Sequence, residues 1–459
     1  MGRFFGTSGI RGLIDKHLKP DFCVKIGLAA AKFFGEEANI IIGYDHRPQS
    51  RIVASAVISG LLAGGVNVLD AEIIPTPAVL YGLKEMKLDG AVVVTGSHTT
   101  PEITGILFFK RDTSELSKEE EDIFEKILIE ENFNRVPWNR VGRLEYINII
   151  DIYIESVLSL IDLGKVEGRK VVVDPGNGAA SGILKFILIE AGLVVQAIND
   201  YLDPTFPGRG AFPRVDVLND LCRVTKAVKA DLGVGTDGDG DRALFCDENG
   251  TAYWGDVSGA IFARGVVRKG HKRVVVTINT SHIVKWAVEK EGGEVIFSRV
   301  GPPAIADTMK KYNAYYGIEE SGKYLWSDAI YYGDAALATL RMLEILEEEE
   351  KTFSELVSEL PKFHLKKVAI SCPDEIKKKV LEKSINELKR ILPNRYEITE
   401  VIDIDGLKII FNDNSWLLLR PSGTEPVFRV FAESQDPQLA QELIEIGEKV
   451  VKKLIEQEK

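Results

Sequence analysis

One pattern occurs three times in this chain. A short run rich in Val and Ile leads into a polar turn, a helical stretch, a glycine and a second apolar run. The copies read "NIIIGYDHRPQSRIVASAVISGLLAGGVNVLDAEI" from Asn39, "RKVVVDPGNGAASGILKFILIEAGLVVQAI" from Arg169 and "HKRVVVTINTSHIVKWAVEKEGGEVIFSRV" from His271. Unbroken Val/Ile runs suit strands covered on both faces, and glycine after each helix suits a left-handed C-cap. The repetition therefore predicts three related α/β domains with mixed, largely parallel sheets. From His364 the order changes to strand, helix, four strands around "YEITEVI", "LKIIF", "SWLLL" and "VFRVFAES", and a last helix. Short turns between adjacent strands make this an α+β domain with an antiparallel sheet. The 459 residues divide on this reading into domains at 1–146, 147–248, 249–362 and 363–459, in keeping with the size limit of single cores.

Composition narrows the class. With 45% hydrophobic and 27% charged residues and 41 glycines, the chain has material for large cores and is not disordered. Its formal net charge is -12 and its Lys/Arg residues form no dense run, which argues against nucleic acid as a partner. No stretch reaches the roughly 18 apolar residues of a membrane span, and the first residues lack a signal-peptide core, so a cytoplasmic protein without a membrane partner is expected. Cys23, Cys222, Cys246 and Cys372 lie far apart without a C-x-x-C pair, as buried free thiols do.

Four loops stand out, all expected beyond the carboxyl ends of strands, where ligands bind in such sheets. "TGSHTTPEITG", after "GAVVV", presents Ser97 beside His98. A turn serine is its plain reading, and the G-x-S-x-G elbow of a serine hydrolase is not matched. "GVGTDGDGDRALF" alternates Asp237, Asp239 and Asp241 along an extended segment, so three carboxylates can converge on a hard cation. The spacing is close to an EF-hand loop, but Arg242 takes its glycine position and strands flank it. "YGIEESGKYLW" offers Glu319 and Ser321 to sugar hydroxyls, a weak signal alone. "LLLRPSGTEPVFRV" can surround a phosphate with Arg420, Ser422, Gly423 and Thr424, where the plain reading is a tight hairpin with a surface arginine.

Together, from "FGTSGIRG" to "RPSGTEP", these loops resemble the α-D-phosphohexomutase family, whose members include phosphomannomutase/phosphoglucomutase, phosphoglucosamine mutase and, in archaea, phosphopentomutase. The resemblance covers essentially the whole chain and is to an archaeal-like member. It implies an isomerase that moves phosphate between positions 1 and 6 of mannose or glucose phosphates through a phosphoserine and a bisphosphorylated sugar. It also implies Ser97, His98, Arg11 and Arg242 as catalytic residues, and Mg²⁺ held by Ser97, Asp237, Asp239 and Asp241. Substrate contacts are implied at Glu319, Ser321, Lys323, Arg420, Ser422, Gly423, Thr424 and Arg429. A sugar bisphosphate serves as activator, a phosphorylated sugar is the partner, and a homo-oligomer is compatible with this reading.

The chain departs from the family pattern T-[AG]-S-H-N-P…N-G-x-K at Thr99, Thr100, Thr104 and Leu107. Leu107 stands where a lysine suited to proton transfer is usual, leaving His98 or Lys110 as substitutes. Lys323 replaces a common histidine, and Pro302 and Pro303 fall in a segment tied to sugar choice. Phosphoglucosamine or a phosphopentose is therefore the alternative substrate, and a catalytically weak phosphosugar-binding protein the more distant one. A serine hydrolase comes last and predicts fluorophosphonate labelling of Ser97.

Overall fold

The computed structural model describes residues 4–392, 396–423 and 425–458. Its strands form four sheets. The first holds β1 (Ile10–Leu13), β2 (Asn39–Tyr44), β3 (Asn67–Ile73), β4 (Gly90–Val94), β5 (Ile103–Lys110) and β6 (Leu144–Tyr146), in the order β1-β5-β4-β2-β3-β6. The second holds β7 (Lys170–Asp174), β8 (Val194–Ala197), β9 (Leu232–Thr236) and β10 (Ala243–Cys246), in the order β10-β9-β7-β8. The third holds β11 (Arg273–Thr277), β12 (Glu294–Ser298), β13 (Tyr316–Glu319) and β14 (Lys323–Trp326), in the order β12-β11-β13-β14.

The three repeats are the parallel pairs β2–β3, β7–β8 and β11–β12, each joined by a helix. Gly65, Gly192 and Gly292, one residue past each helix cap, have φ of 87°, 84° and 72°, the left-handed conformation expected from the repeats. The strand centres are buried because helices cover both faces, which is why their sequences do not alternate. In each sheet the strand beside the repeat turns straight back into an antiparallel partner, at β4–β5, β9–β10 and β13–β14. One apolar core runs through all three sheets, from Ile41 and Val93 through Val171 and Val234 to Val276 and Ile318.

The last sheet is antiparallel throughout, as the short turns predict. It contains β15 (His364–Ser371), β16 (Ile398–Ile402), β17 (Leu407–Phe411), β18 (Trp416–Pro421) and β19 (Val427–Ser434), in the order β15-β19-β18-β17-β16. It docks on the third sheet through an apolar cluster of Ile278 with Ile410, Trp416, Leu418 and Phe431. Glu433 accepts the amide of His282 at 2.8 Å and so caps a helix of the neighbouring domain, while Lys408 Nζ donates to Ile278 O at 2.9 Å. These contacts fix the fourth sheet on the third domain. Among the described residues no helix is long and apolar enough to cross a membrane.

Candidate active site

Ser97 leaves β4 in the left-handed region, with φ 49°, a conformation that costs a non-glycine residue about 1–3 kcal/mol and persists only where neighbours hold it. The side chain is buried and its Oγ lies 3.0 Å from Asp237 Oδ2, 3.2 Å from His98 Nδ1 and 3.5 Å from Arg242 Nη1. Arg11 reaches the same loop, donating to Gly96 O at 3.3 Å and Ser8 O at 3.1 Å. Gly238 is required by closeness, since a Cβ there would sit 2.5 Å from Ser97 O. The Ser97 loop of one domain thus abuts the acidic loop of the next.

In that acidic loop one oxygen each of Asp237, Asp239 and Asp241 lie within 4.8 Å of one another, and all three residues are buried. Asp237 Oδ1 accepts the amides of Asp241 and Arg242, both at 3.2 Å, and Asp239 Oδ2 accepts the Thr76 hydroxyl at 2.7 Å. Asp239 Oδ1 and Asp241 Oδ1 are buried without a hydrogen-bond partner among the described residues. Burial, and then repulsion within the trio, push the Asp237 and Asp239 carboxyls above their ordinary range. Burial acts on Asp241 in the same sense, but Lys323, with Nζ 2.8 Å from Oδ2, and Arg242 outweigh it and hold that carboxyl low. Unpaired, mutually repelling oxygens in a protein-lined pocket fit a hard divalent cation.

The cations are ordered by this acid cluster. Arg242 Nη1 pairs with Asp237 Oδ2 at 3.1 Å, and its Nε donates to Ser321 Oγ at 3.1 Å. Ser321 in turn donates to Glu319 Oε1 at 2.6 Å, so a continuous chain of polar contacts links Ser97 to the β13–β14 loop. Burial, followed by the positive charges of Arg242, Arg11 and Lys323, holds the His98 imidazole well below its usual range, hence uncharged at neutral pH.

Two buried glutamates seat the N-terminal loop that carries Arg11, and a third, Glu121, is buried near them and paired with Lys118. Glu115 accepts the Ser8 hydroxyl with both oxygens, at 2.8 and 2.9 Å, and Glu125 accepts the amides of Phe4 and Phe5 at 2.6 and 2.8 Å. Burial, with Glu115 and Glu125 adding to it against Lys118, pushes Glu121 up to about 7 from 4.5. The folded chain then binds an extra proton between these values. This contribution is full below pH 4.5, is lost as pH rises through 7, and amounts to about 3 kcal/mol at most. Glu121→Gln is therefore expected to flatten the decline in stability between pH 5 and 8, read from thermal melts of both proteins. Equal pH slopes would contradict it.

The fourth loop is held from behind by Lys377, whose Nζ donates to Ser422 O at 2.8 Å and to Glu425 O. Arg420 Nε pairs with Asp405 Oδ2 at 2.9 Å, and that oxygen also accepts the Val300 amide at 3.0 Å. Arg420 and Gly423 line a cavity of about 870 Å³ together with Thr7, Lys118, Arg299 and Lys311, within the size range of small-molecule sites. Arg429 is ion-paired with Glu425 at the loop's far side. Thr424 lies outside the described residues.

Three of the loops are thus joined by direct contacts across three consecutive domains, the fourth shares a cavity with the N-terminal loop at Thr7, and sequence comparison assigns the arrangement. Models of the phosphoglucomutase/phosphomannomutase alpha/beta/alpha domains I, II and III match residues 2–135, 151–250 and 254–363, and that of the C-terminal domain matches 368–446. The phosphoglucomutase/phosphomannomutase of Thermococcus kodakarensis is 36% identical over 99% of this chain and 100% of its own. The chain belongs to the phosphoglucomutase/phosphomannomutase family. Its reaction class is that family's intramolecular phosphoryl transfer, an isomerisation. A phosphoglucosamine/phosphogalactosamine mutase of Sulfurisphaera tokodaii is 35% identical over 98% of this chain and 99% of its own. A phosphopentomutase of T. kodakarensis is 35% identical over 99% of both. A phosphoglucomutase/phosphomannomutase family protein from Burkholderia thailandensis has the same fold, with a TM-score of 0.85 at 24% identity over 98% of this chain and 97% of its own.

One expectation fails. Lys110 cannot stand in for the usual lysine: it lies at the far end of β5, opposite Gly90, in an ion pair with Glu120 at 2.8 Å. Leu107 itself is packed in the core opposite Val93. Thr76, Asp45 and Arg47 are not singled out by the sequence: Asp45 and Arg47 lie in the turn after β2, and Thr76 opens the helix that follows β3. "YDHRP", directly after the first repeat strand, is the signal that points to two of them.

Proposed function

We propose that the chain is a Mg²⁺-dependent phosphosugar mutase of the cytoplasm that moves phosphate between positions 1 and 6 of glucose or mannose phosphates. The observation that carries this reading is Ser97 Oγ at 3.0 Å from Asp237 Oδ2, beside two buried carboxylate oxygens without partners. Asp237, Asp239, Asp241 and the oxygen on Ser97 would hold Mg²⁺, which supplies charge neutralisation at the transferring phosphoryl group. In the first half-reaction the bond between phosphorus and Ser97 Oγ breaks as one forms to a free sugar oxygen, whose hydroxyl proton passes by way of His98 to the freed Oγ. In the second, the bond between the other phosphoryl group and its sugar oxygen breaks as one forms to Ser97 Oγ, whose proton passes to uncharged His98, the ring nitrogen at 3.2 Å, and on to the departing sugar oxygen. Arg11 and Arg242 meet the charge spread over the equatorial oxygens. Glu319, Ser321 and Lys323 face the sugar, while Arg420, Ser422, Gly423, Thr424 and Arg429 serve the distal phosphate.

A second reading, phosphoglucosamine or a phosphopentose as substrate, is favoured by Lys323. Its ammonium is drawn to Asp241 and lies 4.1 Å from the Tyr332 ring centroid, an arrangement that changes the sugar-facing loop from the usual histidine. The relatives' names support both readings equally. Turnover of glucose, mannose, glucosamine and pentose 1-phosphates with Mg²⁺ and a catalytic amount of a sugar bisphosphate decides between them. Highest kcat/KM on a hexose supports the first, on an aminosugar or pentose the second, and turnover of none supports a binding protein.

A further inference from the structure

Two aspartates outside the reacting set occupy the same place in successive repeats. Asp45 follows β2 directly and lies level with Thr95, two residues before Ser97, while Asp174 ends β7 and pairs in register with Gly235, two residues before Asp237. Each anchors an arginine. Arg47, fully buried against Asp45, donates to the carbonyls of Ser97 at 3.0 Å and Thr99 at 2.8 Å. Asp45 also accepts the Thr95 hydroxyl and the Gly96 amide, both at 2.9 Å. Arg209 pairs with Asp174 at 2.8 Å and donates to Asp174 O at 2.8 Å and to Thr236 O at 2.6 Å, the residue before Asp237.

The correspondence extends to packing. A Cβ on Gly96 would lie 2.5 Å from the Arg47 guanidinium carbon, and one on Gly176 would lie 2.7 Å from that of Arg209, so both guanidinium groups lie against glycine. The Arg47 guanidinium sits 4.7 Å from the ring centroid of Phe206, three residues before Arg209, which brings the two assemblies into contact across the domain boundary. In the third repeat the register-equivalent residue, opposite Glu319, is Thr277, and its hydroxyl pairs with Thr280. Among the described residues no arginine there holds the loop backbone.

We propose that Asp45–Arg47 and Asp174–Arg209 are a duplicated brace, and that Arg47 and Arg209 are positioning residues that fix the Ser97 and Asp237 loops relative to each other. The carbonyl contacts of Arg47 Nη2 oppose relaxation of the strained Ser97 backbone while Nη1 pairs with Asp45, a division of contacts over two nitrogens of one planar group that lysine cannot reproduce. The sugar-facing loop is held in another way, by the Ala243 amide on Gly322 O at 2.9 Å and by Arg242 on Ser321 at 3.1 Å. This inference rests on the mutase reading for its kinetic consequence but not for its structural one.

The test compares Arg47→Lys and Arg209→Lys with Arg264→Lys, a buried arginine paired with Glu359 away from the loops. Both brace variants are expected to lose kcat by about 10²-fold, the scale of a displacement near 1 Å, while KM changes by less than about threefold. Hydrogen exchange is expected to speed up at the 95–99 amides in Arg47→Lys, and in neither respect should Arg264→Lys differ from wild type. If Arg47→Lys does not fold, Asp45→Asn, which removes the charge anchoring Arg47, is read by the same criteria. Exchange and kcat unchanged, or changed as in Arg264→Lys, overturn the brace. Absence of turnover in wild type overturns the mutase reading instead, and exchange alone then decides the brace.

Discussion

Ser97→Ala is expected to lower kcat by about 10⁴- to 10⁶-fold, the range seen when a covalent nucleophile is removed. Stability should change by less than about 1 kcal/mol, because the side chain's main contact is the hydrogen bond to Asp237, a carboxylate whose own environment already disfavours its charge. The fold does not need this hydroxyl, so circular dichroism and thermal melting should match wild type while turnover of the best sugar 1-phosphate disappears. Residual activity within about tenfold of wild type would remove Ser97 from the reaction path and leave the acid cluster as a cation site without a phosphoryl carrier.

Asp239→Asn separates catalysis from stability in the opposite sense. Its carboxylate is buried, its Oδ1 has no partner and Asp241 repels it, so neutralising it relieves the fold of an unfavourable charge. The amide oxygen can still accept from Thr76, which preserves the tie to the neighbouring domain. Turnover is expected to fall by about 10²- to 10³-fold, as on removal of one preorganised electrostatic group, with the Mg²⁺ concentration for half-maximal activity raised. The melting temperature without metal should hold or rise. Parallel losses of melting temperature and turnover would mean that the trio supports structure and not chemistry.

These expectations combine features that are legible in the sequence with others that are not. Strand-turn-helix-glycine repeats are local, and their apolar runs and glycines follow from backbone rules alone, so the succession of parallel pairs can be read from the residues themselves. The acidic alternation at Asp237, Asp239 and Asp241 is equally readable, since extended backbone places alternate residues on one side. Contacts set by the register of distant strands are not. Thr76 and Asp239 are 163 residues apart, and Arg47 reaches Ser97 and Thr99 only because β2 and β4 are neighbours in the sheet.

The replaced lysine shows the same limit. Leu107 is recognisable as a departure, yet nothing in its neighbourhood along the chain indicates that the Lys323 ammonium lies against Asp241, from a strand two domains away. Lys110, close in sequence, fails because eight residues of strand carry it to the opposite end of the sheet. Sequence nearness misleads there, and spatial nearness belongs to His98 and Lys323.

On this account Ser97 carries the phosphoryl group. Wild-type protein incubated with Mg²⁺ and glucose 1,6-bisphosphate, digested and read by mass spectrometry, should gain one phosphoryl group located on Ser97 within "TGSHTTPEITG", and should lose it on addition of excess sugar monophosphate. A protein that turns over sugar phosphates while Ser97 stays unmodified, or that carries the label on another residue, would contradict the account.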